Sequence, residues 1–387
     1  MSKSNGHSVS PFVKAREELQ SRHDDHDYWW SMLGESFATF LKSSGYSEEY
    51  QLYYLRWFQK WILGSFGPRP VDGKAYHRTE FTWDGSPLEF SINWKEKKPT
   101  RTVRFTAEPL TRNSGRPADL LNQRSAHELF TAMSRDIPGM DLTRFNLLLS
   151  ETSVPDAFAE KVLAELPAGH PKSRVLVAYD LEGGAVVAKA YYNPEHMSIL
   201  KGIPSHKVVF DAIRKCTGPF GTYDASIAAV EDFLNSHTGP VVTLLANDCV
   251  VDSPSSRLKV YVTSPVTNLA TALENFNLAG RITGPRSEAG LKAVRAFWCH
   301  AFGLDNESPD VETKEVLPAG SRCVFVHEMR PRTEDQPGVD IEVKMHVPGP
   351  WLGDTDTKII ESLSAWFGKN GHPEFASSYG SEVAAAL

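Results

Sequence analysis

The sequence predicts an α+β fold in which an antiparallel β-barrel, assembled from repeated αββα units, is surrounded by α-helices. Three observations carry that expectation. Strand-like segments come in hairpin pairs, helical segments separate the pairs, and neither GxGxxG nor GKS/GKT finds a useful match. A parallel Rossmann sheet would need a crossover after every strand, whereas hairpins lay antiparallel strands side by side and leave helices to cover one face. The patterning also admits a sandwich with peripheral helices. One continuous domain over 1–387 is expected, with a helical N-terminal portion at about 10–66 and barrel-forming repeats over 81–379.

From Ser10 to Phe66 the aromatic residues recur at helical intervals: Trp29, Trp30, Leu33, Phe37, Phe40 and Leu41, then Tyr53, Tyr54, Trp57, Phe58 and Trp61. Such a stripe packs a core. Gly64 and the Gly67-Pro68-Arg69-Pro70 segment end the helical regime, because proline lacks an amide donor and glycine relaxes the backbone. Leu88, Phe90 and Ile92 alternate with polar residues, as do Val103 and Phe105, which predicts two strands across the basic turn Lys95 to Thr100. A helix is expected over Asp119–Met133 and another over Pro155–Leu166. Strands follow at Arg174–Tyr179 and Ala185–Tyr192, around Glu182-Gly183-Gly184. Helices near His206–Lys215 and Ala225–Ser236 precede strands at Val241–Asn247 and Arg257–Thr263. A last repeat has helical Ser287–Phe302, strands at Ser321–Met329 and Ile341–Val347, and helical Thr355–Lys369.

Composition removes several function classes. Lysine and arginine number 41 against 48 acids, for a net charge of -7 and a pI near 6.0, so no overall field draws nucleic acid or an anionic membrane. Cys216, Cys249, Cys299 and Cys323 form no CxxC pair, so neither a disulfide framework nor a zinc knuckle is indicated. The opening MSKSNGHSVSPF lacks an apolar signal core and no apolar run approaches membrane-spanning length. A soluble cytoplasmic protein with reduced thiols is expected. Asp24-Asp25-His26-Asp27 has no clear second coordinating segment and reads as a solvated helix start, so no metal site is expected.

The chemistry-bearing pattern lies in the strands. Arg104, Lys189 with Tyr191, Arg257 with Lys259 and Tyr261, and Lys344 with His346 hold alternating positions, and a two-residue spacing puts partners on one sheet face. On an interior face these cations and hydroxyls suit a multiply charged anion. On an exterior face they would be ordinary solvated polar residues. An interior cluster would need carboxylates, waters or phosphate to offset its charge.

Together, Pro87-Leu88-Glu89-Phe90-Ser91, Val103-Arg104-Phe105 with Glu108-Pro109, Ala178-Tyr179-Asp180-Leu181, Val187-Ala188-Lys189-Ala190-Tyr191 and Arg257-Leu258-Lys259-Val260-Tyr261 give the chain its likeness to a family. It resembles the fungal and bacterial aromatic prenyltransferases of the dimethylallyltryptophan synthase type, whose fold is the ABBA prenyltransferase barrel. The resemblance implies transfer of a dimethylallyl group from dimethylallyl diphosphate to an indole-containing acceptor. It implies that Arg104, Lys189, Arg257, Lys259 and Lys344 contact diphosphate, that Tyr191 and Tyr261 add hydrogen bonds and shielding, and that Glu89 orients the indole N–H. Glu89, Arg104, Lys189, Arg257 and Lys259 would then be catalytic. Glu89 can also be read as an edge carboxylate paired with Lys95, Lys97 or Lys98. No cofactor or divalent metal is obligatory on this resemblance, the partners are the prenyl diphosphate and a small aromatic acceptor, and a monomer or homodimer is expected.

Departures from the family pattern qualify these roles. Leu176 stands where members that prenylate tryptophan C4 carry a lysine, which disfavours that chemistry. His346 replaces a common tyrosine and can donate to diphosphate if protonated or accept a proton if neutral. The chain stops at Leu387, where relatives are expected to run through another strand hairpin, so the C-terminal closure is expected to be compact, different or truncated. A phenolic or polyketide acceptor, and a non-catalytic isoprenoid-diphosphate binding barrel, are the alternative functions.

Overall fold

The computed structural model describes residues 9–19, 24–82, 84–94 and 101–386. Helices α1 (Pro11–Glu18), α2 (Asp24–Ser43) and α3 (Glu48–Trp61) precede strands β1 (Leu88–Asn93) and β2 (Thr102–Ala107). Helices α4 (Ser125–Met133), α5 (Thr143–Thr152) and α6 (Ala159–Glu165) lead to β3 (Val175–Glu182) and β4 (Ala185–Tyr192). Helices α7 (Glu195–Lys201), α8 (Ser205–Arg214) and α9 (Asp224–Ser236) lead to β5 (Val241–Asp248) and β6 (Leu258–Pro265). Then come α10 (Leu269–Phe276), α11 (Pro285–Phe302), β7 (Arg322–Met329), β8 (Ile341–His346), α12 (Asp356–Lys369) and α13 (Pro373–Ala386). The strands follow sequence order in an eight-stranded sheet, the topology that successive hairpins impose. The chain divides into two compact units. One holds residues up to Leu142 with Pro155–Ala190 and residues from Glu382 on; the other holds Thr143–Val154 with Tyr191–Ser381.

In the first unit the aromatic stripe of α2 and α3 covers one face of β1–β3. Phe37 meets Phe90 and Phe105 at 5.7 and 5.9 Å between ring centroids, Phe58 meets Phe105 at 5.6 Å and Trp57 meets Tyr179 at 5.0 Å. Phe37, Phe58, Phe105 and Tyr179 are fully buried, each contributing about 1.5–3 kcal/mol of transfer free energy. Tyr46 staples this face: its hydroxyl accepts from Val103 N–H at 3.0 Å and donates to Leu181 C=O. The β3–β4 hairpin turns on Gly183 and Gly184, both left-handed with φ of 57° and 83°, the primed two-residue turn that matches strand twist. Because side chains alternate, Glu89, Ser91, Arg104, Thr106, Ala178 and Asp180 lie on the other face, away from the helical aromatics.

The second unit repeats the logic. Phe325 and Cys323 pack with Leu269, Ala272, Phe276, Val294 and Trp298 of α10 and α11, and Val343 and Met345 lie against them. Register therefore turns Lys259, Tyr261, Thr263, Glu328, Glu342, Lys344 and His346 to the face opposite that core.

Local expectations differ in instructive places. The helix expected from Asp119 begins only at Ser125. Asn122 has φ of 45°, while the Asp119 carboxylate accepts from Gln123 N–H at 2.7 Å and Arg124 N–H at 3.1 Å. These side-chain bonds fold 119–124 into a loop instead of a helical turn. Helices α5, α7, α10 and α13 were not anticipated by periodicity. For α10 a signal existed: Asn268 and Thr271 form a capping box, the Asn268 side chain accepting from Thr271 N–H at 2.9 Å. The turn Lys95 to Thr100 lies outside the described residues.

Candidate active site

On the polar face of the first unit, Arg104 stands directly opposite Asp180 across β2 and β3. Arg104 Nε lies 3.1 Å from Asp180 Oδ1, close enough for an ion pair but without hydrogen-bond alignment, so that buried N–H makes no hydrogen bond among the described residues. Lys189 Nζ pairs with the other Asp180 oxygen, and the lysine is 4% exposed. Glu89, opposite Thr106, shares this face with Arg104. It is exposed and bears no ion pair among the described residues, yet the surrounding protein crowds its carboxyl and raises its pKa. Its alternative partners Lys95, Lys97 and Lys98 lie outside the described residues. Leu176 shares the face of Ala178 and Asp180 on β3 and is nearly buried.

The second unit carries a denser cluster. Arg257 Nε donates to Asp248 at 3.1 Å and its Nη1 to Glu328 at 2.8 Å. Lys259 donates to the other Asp248 oxygen at 2.9 Å, and Lys344 to the other Glu328 oxygen. Glu328 is 2% exposed. Burial alone would raise its pKa, but Lys344, Arg257 and Lys259 outweigh that and hold the carboxyl below its usual range. Burial likewise works against the Arg257 charge, and Asp248 and Glu328 reverse the balance, raising its pKa. These acids answer the charge problem posed by the sequence. Strand alternation alone marks none of these acids as part of the cation cluster, although Asp180 lies within Ala178-Tyr179-Asp180-Leu181.

Aromatic groups adjoin the cations. The Tyr191 and Tyr261 rings lie 5.7 Å apart and Tyr261 stands edge-on to His346 at 6.1 Å. Burial, then Tyr191, pushes the Tyr261 pKa up, so its phenol stays protonated. His346 is exposed, yet the protein crowded around its ring, and then the Lys344 charge, lower its pKa, with Glu328 opposing, which favours the neutral imidazole. The structure thus gathers Arg104 with Lys189 in one unit, and Arg257, Lys259, Tyr261, Lys344 and His346 with Tyr191 in the other. The acids near Asp24 sit in the first turn of α2, where Arg69 pairs with Asp24 and Arg112 with Asp25. Among the described residues no group of three or more His, Cys, Asp or Glu is arranged to hold a metal ion.

Comparison with known proteins bears on what such faces do. The family model described as tryptophan dimethylallyltransferase matches residues 25–382. The prenyltransferase iacE of Pestalotiopsis fici is 43% identical over 395 residues, covering 99% of this chain and 89% of the relative. The 7-dimethylallyltryptophan synthase hasE of Aspergillus fumigatus is 28% identical, with coverages of 91% and 76%. The solved structure of NotF in complex with brevianamide F and DMSPP superposes with a TM-score of 0.81 at 22% identity, covering 98% of this chain and 90% of that one. That likeness shows a common fold, the ABBA-type architecture the hairpin pattern predicts.

Proposed function

The chain belongs to the tryptophan dimethylallyltransferase family of prenyltransferases, and from that premise we propose that it transfers a dimethylallyl group from dimethylallyl diphosphate to an aromatic carbon or nitrogen of an indole-containing acceptor. The observation that carries the reading is the cluster of Arg257, Lys259 and Lys344 beside Tyr261 and Tyr191 on one strand face. The names of the 7-dimethylallyltryptophan synthase and of the NotF complex support an acceptor of the tryptophan kind.

In this mechanism the allylic carbon–oxygen bond breaks with its electron pair passing to diphosphate. Negative charge grows on the leaving group, and oriented cations stabilise it more in the transition state than in the bound donor. Arg257, Lys259 and Lys344 take this role. Arg104 and Lys189, both ion-paired with Asp180, are assigned it on their motifs. The tyrosine faces stabilise the allylic cation by about 0.5–2 kcal/mol and exclude water from it. Glu89 accepts the indole N–H, enriching the ring, which attacks the cation; loss of the ring proton restores aromaticity. His346 serves as a neutral imidazole rather than as another cation. Leu176 leaves no lysine on its part of the face, which argues against the C4 chemistry of free tryptophan.

Side chains supply the charge neutralisation in this reading, so we assign no obligatory cofactor or divalent ion. The same reading makes the protein a single catalytic domain, cytoplasmic, acting as a monomer or homodimer. Its four cysteines are buried and form no disulfide, and no helix among the described residues is long and apolar enough to cross a membrane. Incubation with dimethylallyl diphosphate and a panel of indoles, without added metal, should release diphosphate and give products heavier by one dimethylallyl group. Folded protein that yields neither, with or without magnesium, defeats the proposal.

A further inference from the structure

Three cations and two acids share the second unit's polar face, and each cation lies within 3.1 Å of an acid oxygen. Glu328 has a side chain 3% exposed, Asp248 one of 16%. A third acid, Glu342, stands opposite Glu328 but is held by Arg330 at 3.0 Å and Arg286 at 3.8 Å. Tight capture of diphosphate would gain most from unpaired cations, yet here the charge is largely neutralised before any donor arrives.

We propose that Glu328 and Asp248 are positioning residues that compete with inorganic diphosphate for Arg257, Lys259 and Lys344, and so set the rate of its release. The inference rests on the prenyl-transfer reading. Heterolysis leaves the electron pair of the broken bond on diphosphate, and the acceptor proton departs separately, so the leaving group carries one more negative charge than the esterified donor. Cations arranged to favour that charge therefore hold the product more tightly than the substrate. An acid that takes back two cations as the product leaves weakens this trap and keeps Arg257 and Lys344 oriented for the next donor.

The test compares wild type with Glu328→Gln, which keeps the shape and a carbonyl acceptor but removes the charge. Inorganic diphosphate should inhibit the variant at about tenfold lower concentration. Its donor KM should fall, and multiple-turnover kcat should fall while the single-turnover rate does not. A purely structural role for Glu328 would instead raise the inhibition constant and slow both regimes. Should Glu328→Gln fail to fold, Asp248→Asn decides the question by the same readouts, since its site is less buried and Arg257 keeps Glu328. Calorimetry with inorganic diphosphate separates the two levels of argument. Wild type that does not bind it overturns the prenyl-transfer reading and this role together. Wild type that binds it, with a variant that binds no tighter, overturns the release role alone.

Discussion

Replacing Arg257 by alanine separates donor chemistry from folding, because the structure shows what is left behind. The guanidinium bridges Asp248 at 3.1 Å and Glu328 at 2.8 Å. Without it Asp248 retains Lys259 and Glu328 retains Lys344, so neither acid is stranded. The folding loss should therefore be about 1–2 kcal/mol, below the roughly 3–5 kcal/mol of an orphaned buried charge. Catalysis loses a charge-assisted bond to a leaving group whose charge is growing, worth about 2–3 kcal/mol, or about 30- to 150-fold in kcat/KM for the donor. Arg257→Lys restores the charge but not the two-pronged geometry and should recover only part of that loss. The assay follows diphosphate release with donor varied at saturating acceptor, alongside urea unfolding of each variant. A folded alanine variant whose donor kcat/KM stays within about twofold of wild type would refute the assignment.

Glu89→Gln should reduce acceptor kcat/KM about tenfold with little change in donor KM, as expected for losing a charged hydrogen bond; equal acceptor kinetics would remove Glu89 from the site. Because crowding raises the Glu89 pKa, the wild-type rate should decline as acid protonates this carboxyl, and the glutamine variant should lack that limb in a pH–rate profile. His327 is 1% exposed, and burial pushes its pKa down to about 4. The unfolded chain takes up that proton near the ordinary value of about 6.5, so stability should rise with pH between these values, by about 3 kcal/mol in all. Urea unfolding at pH 4.5 and 7 should show a smaller difference in His327→Asn than in wild type, and equal differences would contradict the argument. Tyr46→Phe strands the buried Val103 N–H and Leu181 C=O and should cost about 1–3 kcal/mol of stability while leaving donor kcat/KM unchanged; an undiminished urea midpoint would show that other groups satisfy them.

Much of this was legible because it is local. The β3–β4 hairpin could be read from Gly183-Gly184, since both positions need the left-handed backbone that glycine reaches without strain. The aromatic spacing of Phe37, Trp57 and Phe58 announced the helices that cover the sheet. What failed was also local but depended on side-chain competition. Asp119 and Asn122 divert their backbone from the helix that periodicity suggests.

By itself, the sequence determined which residues share a strand face, because alternation along a strand depends only on the pleat. It therefore determined that Lys259 and Tyr261, or Lys344 and His346, point the same way. Only the tertiary structure decided that Glu328 joins Arg257 to Lys344, or that Asp180 faces Arg104. The Arg257–Glu328 and Arg104–Asp180 pairings depend on register between strands whose connections contain whole helices, α10 and α11 between β6 and β7 and α4 to α6 between β2 and β3, while Glu328–Lys344 crosses the loop that joins β7 to β8. Packing against the helix-covered face sets that register, and one residue of slip would turn every charge to the opposite side of the sheet.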